Sequence, residues 1–386
     1  MTKKLLTAGS TLLLIFTFSI TAAKTKAQSG AAAVSPLPKK AEEVFKNIQV
    51  LKGIPADQVF PTMQFITASL GVECDFCHVR DAFEKDDKKP KATARKMMEM
   101  MFAINADNFD RHRAVTCYSC HRGSVQPVAI PAVMIEEPKQ PVGEPHRAEA
   151  DKNSADTSGS TGPTADQLLD KYVQAVGGAS AVDRISSRVM KGSIDFGGKS
   201  LPIDIYAKDP EKRISLTHMP NGASVTAFNG KEGWLGTPGK PLREMHGSDL
   251  DGAAIDADLH LATDLKHMFS KMQVEGTEKI DDHQTRVVVG QREDKTPIRL
   301  YFDEQSGLLV RLVRFGETAL GWLPTQIDYA DYREVNGLKV PHRWTLARPS
   351  GKFTIQVNEM QQNVPVDDTK FVKPEDPQEQ PRVSAK

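Results

Sequence analysis

Four cysteines constrain this chain more than any other feature. Cys74 and Cys77 are followed directly by His78, and Cys117 and Cys120 by His121. The two C-x-x-C-H motifs use every cysteine in the 386 residues. That spacing is the attachment signature of c-type haem. Two thiols three residues apart lie on one helical turn and reach the two vinyl groups of a haem as thioethers. The adjoining His then presents an imidazole to the iron as proximal ligand. A Cys2His2 zinc site would use the same ligand types, and a redox disulfide the same thiols. Neither needs a His straight after the second Cys in both copies. The expectation is therefore two covalently bound c-type haems, held by Cys74, Cys77, His78, Cys117, Cys120 and His121.

The motifs sit in an internal repeat. Val72-Glu73-Cys74-Asp75-Phe76-Cys77-His78 parallels Val115-Thr116-Cys117-Tyr118-Ser119-Cys120-His121. Each is preceded by an apolar, Met-bearing helical segment. Pro61 suits the first position of the first helix and Gly71 its C-terminal cap. The second helix spans Ala92 to Ile104, and Lys85 to Lys91 reads as a solvated loop between the units. A thioether from Met as sixth ligand gives a centre suited to electron transfer. Met63 is the candidate for the first haem. For the second, Met97 leads, with Met101 and Met100 as rivals and Met98 assigned to packing. His112 is a further rival for either iron.

Lys3 and Lys4 followed by the apolar stretch Leu5 to Ile20 read as a signal peptide over residues 1–27, with an uncleaved N-terminal anchor as the alternative. Either makes the rest an exported, periplasmic protein. Lys+Arg and Asp+Glu are both 50, so the net charge is zero. That argues against nucleic-acid binding of the usual basic kind. Six prolines from Pro127 to Pro163 mark a linker over 128–163.

The diheme domain is expected over 28–127, and a second domain over 164–374, with a disordered tail at 375–386. Thr164 and Gln167 form a capping-box pattern. Leu168, Leu169, Tyr172, Val173 and Val176 form one helix face, and Gly177-Gly178 stops it. Alternating stretches follow, such as Leu201 to Tyr206, Arg213 to Thr217, Thr285 to Val289, Ile298 to Phe302 and Phe353 to Val357. Turn signals separate them at Asn221-Gly222, Asn229-Gly230, Ser306-Gly307 and Asn336-Gly337. Leu250 to Gln273 reads as a helical insertion, with His260 and His267 on one face. Trp234, Trp322 and Trp344 read as core anchors. Asp281-Asp282 and Asp367-Asp368 read as surface pairs, and no catalytic constellation emerges. The fold class is thus multidomain: a mainly α c-type diheme domain, then an α+β antiparallel half-barrel.

Met63 with Cys74-x-x-Cys77-His78, and Ala94-Arg95-Lys96-Met97 with Cys117-Tyr118-Ser119-Cys120-His121-Arg122-Gly123, resemble the cytochrome c subunit of photosynthetic reaction centres over residues 40–127. The resemblance implies two covalent haems with His78 and His121 proximal, and Met63 and Met97 distal. The family subunit carries four haems, whereas this chain has two motifs. Residues 164–374 resemble the LolA/LolB-like lipoprotein-sorting half-barrels. They do so through Phe228-Asn229-Gly230, the segment Tyr301 to Val310, and the segment Tyr329 to Gly337. That resemblance implies an apolar concave face able to hold an acyl chain, or one filled by its own helix.

The expected function is single-electron transfer between a redox donor and acceptor, with peripheral membrane association compatible with it. Two other classes remain open. One is a peroxidase-like enzyme with one haem left five-coordinate. The other is a module that binds a lipid or quinone, fused to a cytochrome.

Overall fold

The computed structural model describes residues 39–127, 162–349 and 351–374. The expected leader at 1–27, the linker up to residue 161 and the tail at 375–386 lie outside the described residues.

The motif-bearing segment contains α1 (Ala41–Val44), α2 (Val59–Leu70), α3 (Cys74–Cys77), α4 (Lys89–Asn108) and α5 (Cys117–His121). A 3-10 turn over Ala56–Gln58 feeds α2, so Pro61 is its third residue rather than its first. N–H groups of the first turn have no intrahelical acceptor, so the ring is tolerated there. Gly71 ends α2 in the left-handed region at φ 66, as expected. The loop expected over Lys85 to Lys91 is shorter than the sequence implied, because α4 already starts at Lys89.

The second region opens with α6 (Ala165–Val176) and α7 (Ala179–Val182). Thr164 Oγ1 accepts the Gln167 N–H and Gln167 Oε1 accepts the Thr164 N–H, which closes the capping box. All five expected face residues of α6 are buried. Six strands follow: β1 (Ser187–Phe196), β2 (Lys199–Lys208), β3 (Lys212–Met219), β4 (Gly222–Asn229), β5 (Gly233–Gly236) and β6 (Arg243–Glu244). After two helices come β7 (Lys271–Ile280), β8 (His283–Arg292), β9 (Lys295–Asp303), β10 (Leu309–Thr318), β11 (Gly321–Val335), β12 (Leu338–Arg348) and β13 (Gly351–Gln362).

These strands form one antiparallel sheet in the order β6-β5-β4-β3-β2-β1-β13-β12-β11-β10-β9-β8-β7. Every pairing joins sequence neighbours except β1 with β13, which brings the ends of the region together at mid-sheet. The open edges are therefore β6 and β7, and the connection between them is α8 (Gly247–Ala257) and α9 (Leu261–Met268). The helical insertion expected over Leu250 to Gln273 is thus two helices, and its end gives way to β7 from Lys271. Asp258 is extended, and its carboxylate accepts the His260 N–H at 2.7 Å. This local bond competes with helix continuation and breaks the element in two. His260 caps α9 with Nε2 2.8 Å from Ile185 O, while His267 is exposed.

The largest core cluster joins α6 and α9 to one sheet face through Leu169, Leu265, Leu300, Phe302, Leu312 and Ile327. Trp234 is buried, whereas Trp322 and Trp344 are half-buried. The two Asp pairs are exposed, as expected.

The helical segment also packs on the sheet. One cluster combines Leu51, Phe65, Ile66, Met98 and Met101 with Leu320 and Leu323, on the β10–β11 turn and at the start of β11. At Gly321 a Cβ would stand 2.6 Å from the Phe65 ring.

Candidate haem-attachment site

Each motif is a single helical turn. α3 carries Cys74 and Cys77, three positions apart, and His78 follows at its C-cap with an extended backbone. α5 carries Cys117, Cys120 and His121, and Arg122 and Gly123 then turn the chain at φ 50 and 84. Thr116 and Ser119 cap α5, with the Thr116 N–H donating to Ser119 Oγ at 3.0 Å. The four thiols are free. Burial pushes the Cys77 and Cys117 thiols above their ordinary range, which keeps them protonated.

The histidines share one orientation. His78 Nδ1 lies 2.9 Å from Phe83 O, and His121 Nδ1 lies 3.0 Å from Ser124 O. A carbonyl oxygen only accepts, so Nδ1 donates in both. The Nε2 lone pair is thereby left for a metal, and the ring angle is fixed by the backbone.

The surroundings fit a porphyrin. Among the described residues, all large apolar side chains that are strongly exposed lie between Val44 and Val125, except Phe196 and Val372. They include Phe76, Phe83, Met97, Met100, Phe102 and Tyr118. A soluble surface seldom leaves so many together without a partner. Donor set, ring orientation and apolar surroundings all match a covalently held haem.

The methionines separate by burial. Met97 and Met100 are 40% and 49% exposed, whereas Met98 and Met101 are 7% and 4% exposed. Met63 is half-buried on α2, against the cluster that contains Phe65 and Met101. Met98 and Met101 both lie in that cluster. His112 is exposed in the loop after α4.

Lys91 was missed by the sequence reading, which placed it in a solvated loop. It is 8% exposed, and its Nζ donates to Phe83 O at 2.8 Å and Lys85 O at 2.7 Å. Asp86 pairs with it at 3.0 Å. Side-chain hydrogen bonds from Arg95, Lys91 and Asn47 hold the Asp86 carboxyl well below the usual range. Phe83 O therefore serves both His78 and Lys91. Only side-chain geometry reveals this, because a basic residue in a lysine-rich stretch carries no local signal of burial.

Beneath α8 and α9 the sheet encloses a cavity of about 570 Å³, lined by Met190, Ile203, Phe228, Trp344 and Ile355 among others. The helices cover the face without filling it.

The motif geometry is that of a c-type cytochrome. The sequence profile described as the photosynthetic reaction centre cytochrome C subunit matches residues 15–215, just over half of the chain. The chain belongs to that family. The photosynthetic reaction center cytochrome c subunit of Thermochromatium tepidum is 39% identical over 93 residues, 23% of each chain. That of Rubrivivax gelatinosus is 33% identical over 96 residues, 24% of this chain and 26% of the relative. Cytochrome c-554 of Chloroflexus aurantiacus is 32% identical over 85 residues, 20% of each. The matched stretch thus spans about a quarter or less of these relatives.

Among solved structures, a LolA superfamily protein from Nitrosomonas europaea aligns at TM-score 0.38 and 15% identity, covering 55% of this chain and 99% of that one. A putative outer membrane lipoprotein-sorting protein domain from Vibrio parahaemolyticus aligns at 0.36 and 11%, covering 53% and 97%. The sheet described above rests on this chain's own strand pairing. No helix among the described residues is long and apolar enough to cross a membrane.

Proposed function

We propose that this cytochrome is an exported, periplasmic two-haem carrier that passes single electrons between a redox donor and an acceptor. Its haem-bearing domain spans 28–127, a linker 128–163, and a carrier-like domain 164–374 that holds an apolar ligand, a lipid or a quinone. Cys74 and Cys77 would hold one haem, and Cys117 and Cys120 the other. His78 and His121 are the proximal ligands, and Met63 and Met97 the distal ones. When bound, such a group supplies a one-electron couple. The chain fixes both imidazoles through their Nδ1–carbonyl bonds, which limits reorganisation as the charge changes. That twin arrangement carries the reading. Met63 is favoured by its partly buried place on α2, and Met97 by an exposed side chain that packing does not enclose.

The test is a pyridine-haemochrome assay with ferric EPR on protein matured in an export-competent host. Two covalent haems, both low-spin, support electron transfer with His/Met ligation. One haem or none overturns the two-haem reading. A high-spin component would favour the peroxidase-like alternative. The observation behind that alternative is that Met97 and Met100 are both exposed, so packing fixes neither of these two thioethers. Met97→Ala should turn one centre high-spin and leave the other unchanged.

A further inference from the structure

We propose that the cavity under α8 and α9 binds a single-chain amphiphile with a compact anionic head, a carboxylate or phosphate, received by Arg188 and Arg213. This rests on the carrier reading above and specifies its ligand. The cavity volume of about 570 Å³ lies within the roughly 300–1,000 Å³ of small-molecule sites. Its wall is mainly apolar, yet it carries several charges.

Four of those charges pair with one another, Asp258 accepts from the His260 N–H, and Lys339 and Lys352 are exposed. Arg314 grips Asp256 with two bonds of 2.8 and 3.0 Å. Arg348 reaches Asp249 at 3.4 Å and Thr325 at 3.1 Å. Arg188 on β1 and Arg213 on β3 are different. Both line the cavity, and neither takes part in a hydrogen bond or ion pair among the described residues. Arg188 Nε is fully enclosed with no partner. Asp256 attracts Arg213 only at longer range, since Arg314 occupies its oxygens. Burial, reinforced by the like charge of Arg213, lowers Arg188 to about 10. Both groups still carry their charge at neutral pH.

Two like charges in an apolar pocket with an orphaned N–H are expensive to retain. An anion entering from solvent removes that penalty at both groups. Guanidinium forks match carboxylate and phosphate oxygens two at a time. The apolar lining then takes the chain of the ligand. A neutral ligand would fill the volume and leave both arginines unsatisfied.

The experiment is isothermal titration of the full-length matured protein with dodecanoate, dodecyl phosphate and 1-dodecanol, which share one chain length. The expected result is that at least one anion binds tenfold or more tightly than the alcohol. Arg188→Gln and Arg213→Gln should each abolish that preference and leave dodecanol binding unchanged. Ligand-free thermal unfolding of these variants should show equal or higher stability, so that lost binding is not lost folding. Which anion binds tighter identifies the head. If the alcohol binds as well as the anions, or if the variants keep the preference, the anionic-head inference is overturned while the carrier reading stands. If none of the three binds, the carrier reading itself fails.

Discussion

The carbonyl of Phe83 accepts from a histidine and a lysine at once, and the two donors compete for its electron density. Lys91 weakens the pull of that carbonyl on the His78 proton, which would make the imidazole a poorer donor to the iron of the proposed haem. The surplus positive charge of Lys91 and Arg95 around the single carboxylate of Asp86 also favours the reduced centre. At the other motif, no lysine ammonium bonds Ser124 O among the described residues. Lys91→Met should therefore lower the potential of the haem at Cys74 and Cys77 by a tenfold shift in its equilibrium, about 59 mV for one electron. The haem at Cys117 and Cys120 should not move, and Lys91→Arg should restore most of the loss. A spectroelectrochemical titration reads both centres, and equal shifts at both would refute the assignment.

Asp258 belongs to the same scale. Burial raises its carboxyl to about 6, with help from the like charges of Asp264 and Glu211 and against the His260 N–H bond. The folded value lies above the unfolded one, so the fold prefers the protonated form. Its stabilising contribution is full below about 3.8, the ordinary value, and is lost as pH rises through about 6. Asp258→Asn keeps an acceptor for His260 and removes the titration. Between pH 4 and 7 the variant should gain roughly 2–3 kcal/mol relative to the parent, measured by denaturant unfolding at each pH. A constant difference across that range would exclude Asp258 as the source.

Elements whose signals are local were legible in the sequence. The Thr164 capping box, the α6 face and the turns at Asn221-Gly222 and Asn336-Gly337 each depend on residues a few positions apart. All four hairpins marked by turn residues form. The β1–β13 pairing was not legible, because nothing near either strand names its partner. Nor was the path of α8 and α9 from one sheet edge to the other. The two C-x-x-C-H motifs stand out in the sequence because their spacing is local, whereas Met97 and Met101 read alike there and differ only in burial. Gly71 is the element-scale test. It caps α2 at φ 66, and a Cβ there would stand 2.2 Å from Gly123 O, while the Gly123 N–H donates to Ser69 O at 2.9 Å. The end of α2 and the turn after the second motif thus share one backbone contact. Gly71→Ala adds left-handed strain of about 1–2 kcal/mol to a backbone clash. It should destabilise the protein by at least that much and lower haem incorporation at Cys117 and Cys120 in particular. Haem-stained peptide maps of the matured variant would show whether that motif is selectively affected.

On the scale of the whole molecule, the contact between α2 and the β10–β11 turn ties two chemically different regions together. Phe65 reaches over Gly321, and Leu320 and Leu323 complete a core to which both regions contribute. Arg113 adds bonds to Thr318 O and to Glu317, but these are partly exposed and contribute little. The apolar contact therefore dominates. Phe65→Ala leaves the motifs and the sheet intact and opens a cavity at the seam, at a cost of about 3–5 kcal/mol. If the seam couples the regions, a scan of the parent should follow one transition by both haem absorbance and far-UV circular dichroism. In the variant the two signals should separate, the haem segment melting first because fewer contacts anchor it. A single coincident transition at lower temperature would mean that the regions are coupled by contacts other than Phe65. The same coupling bears on function. A ligand seated against β1 and β3 would act on the haem segment through the sheet, and Phe65 is one point where the sheet meets α2. In Phe65→Ala, any shift in haem potential caused by a saturating cavity ligand should therefore shrink relative to the parent, and an undiminished shift would place the coupling elsewhere.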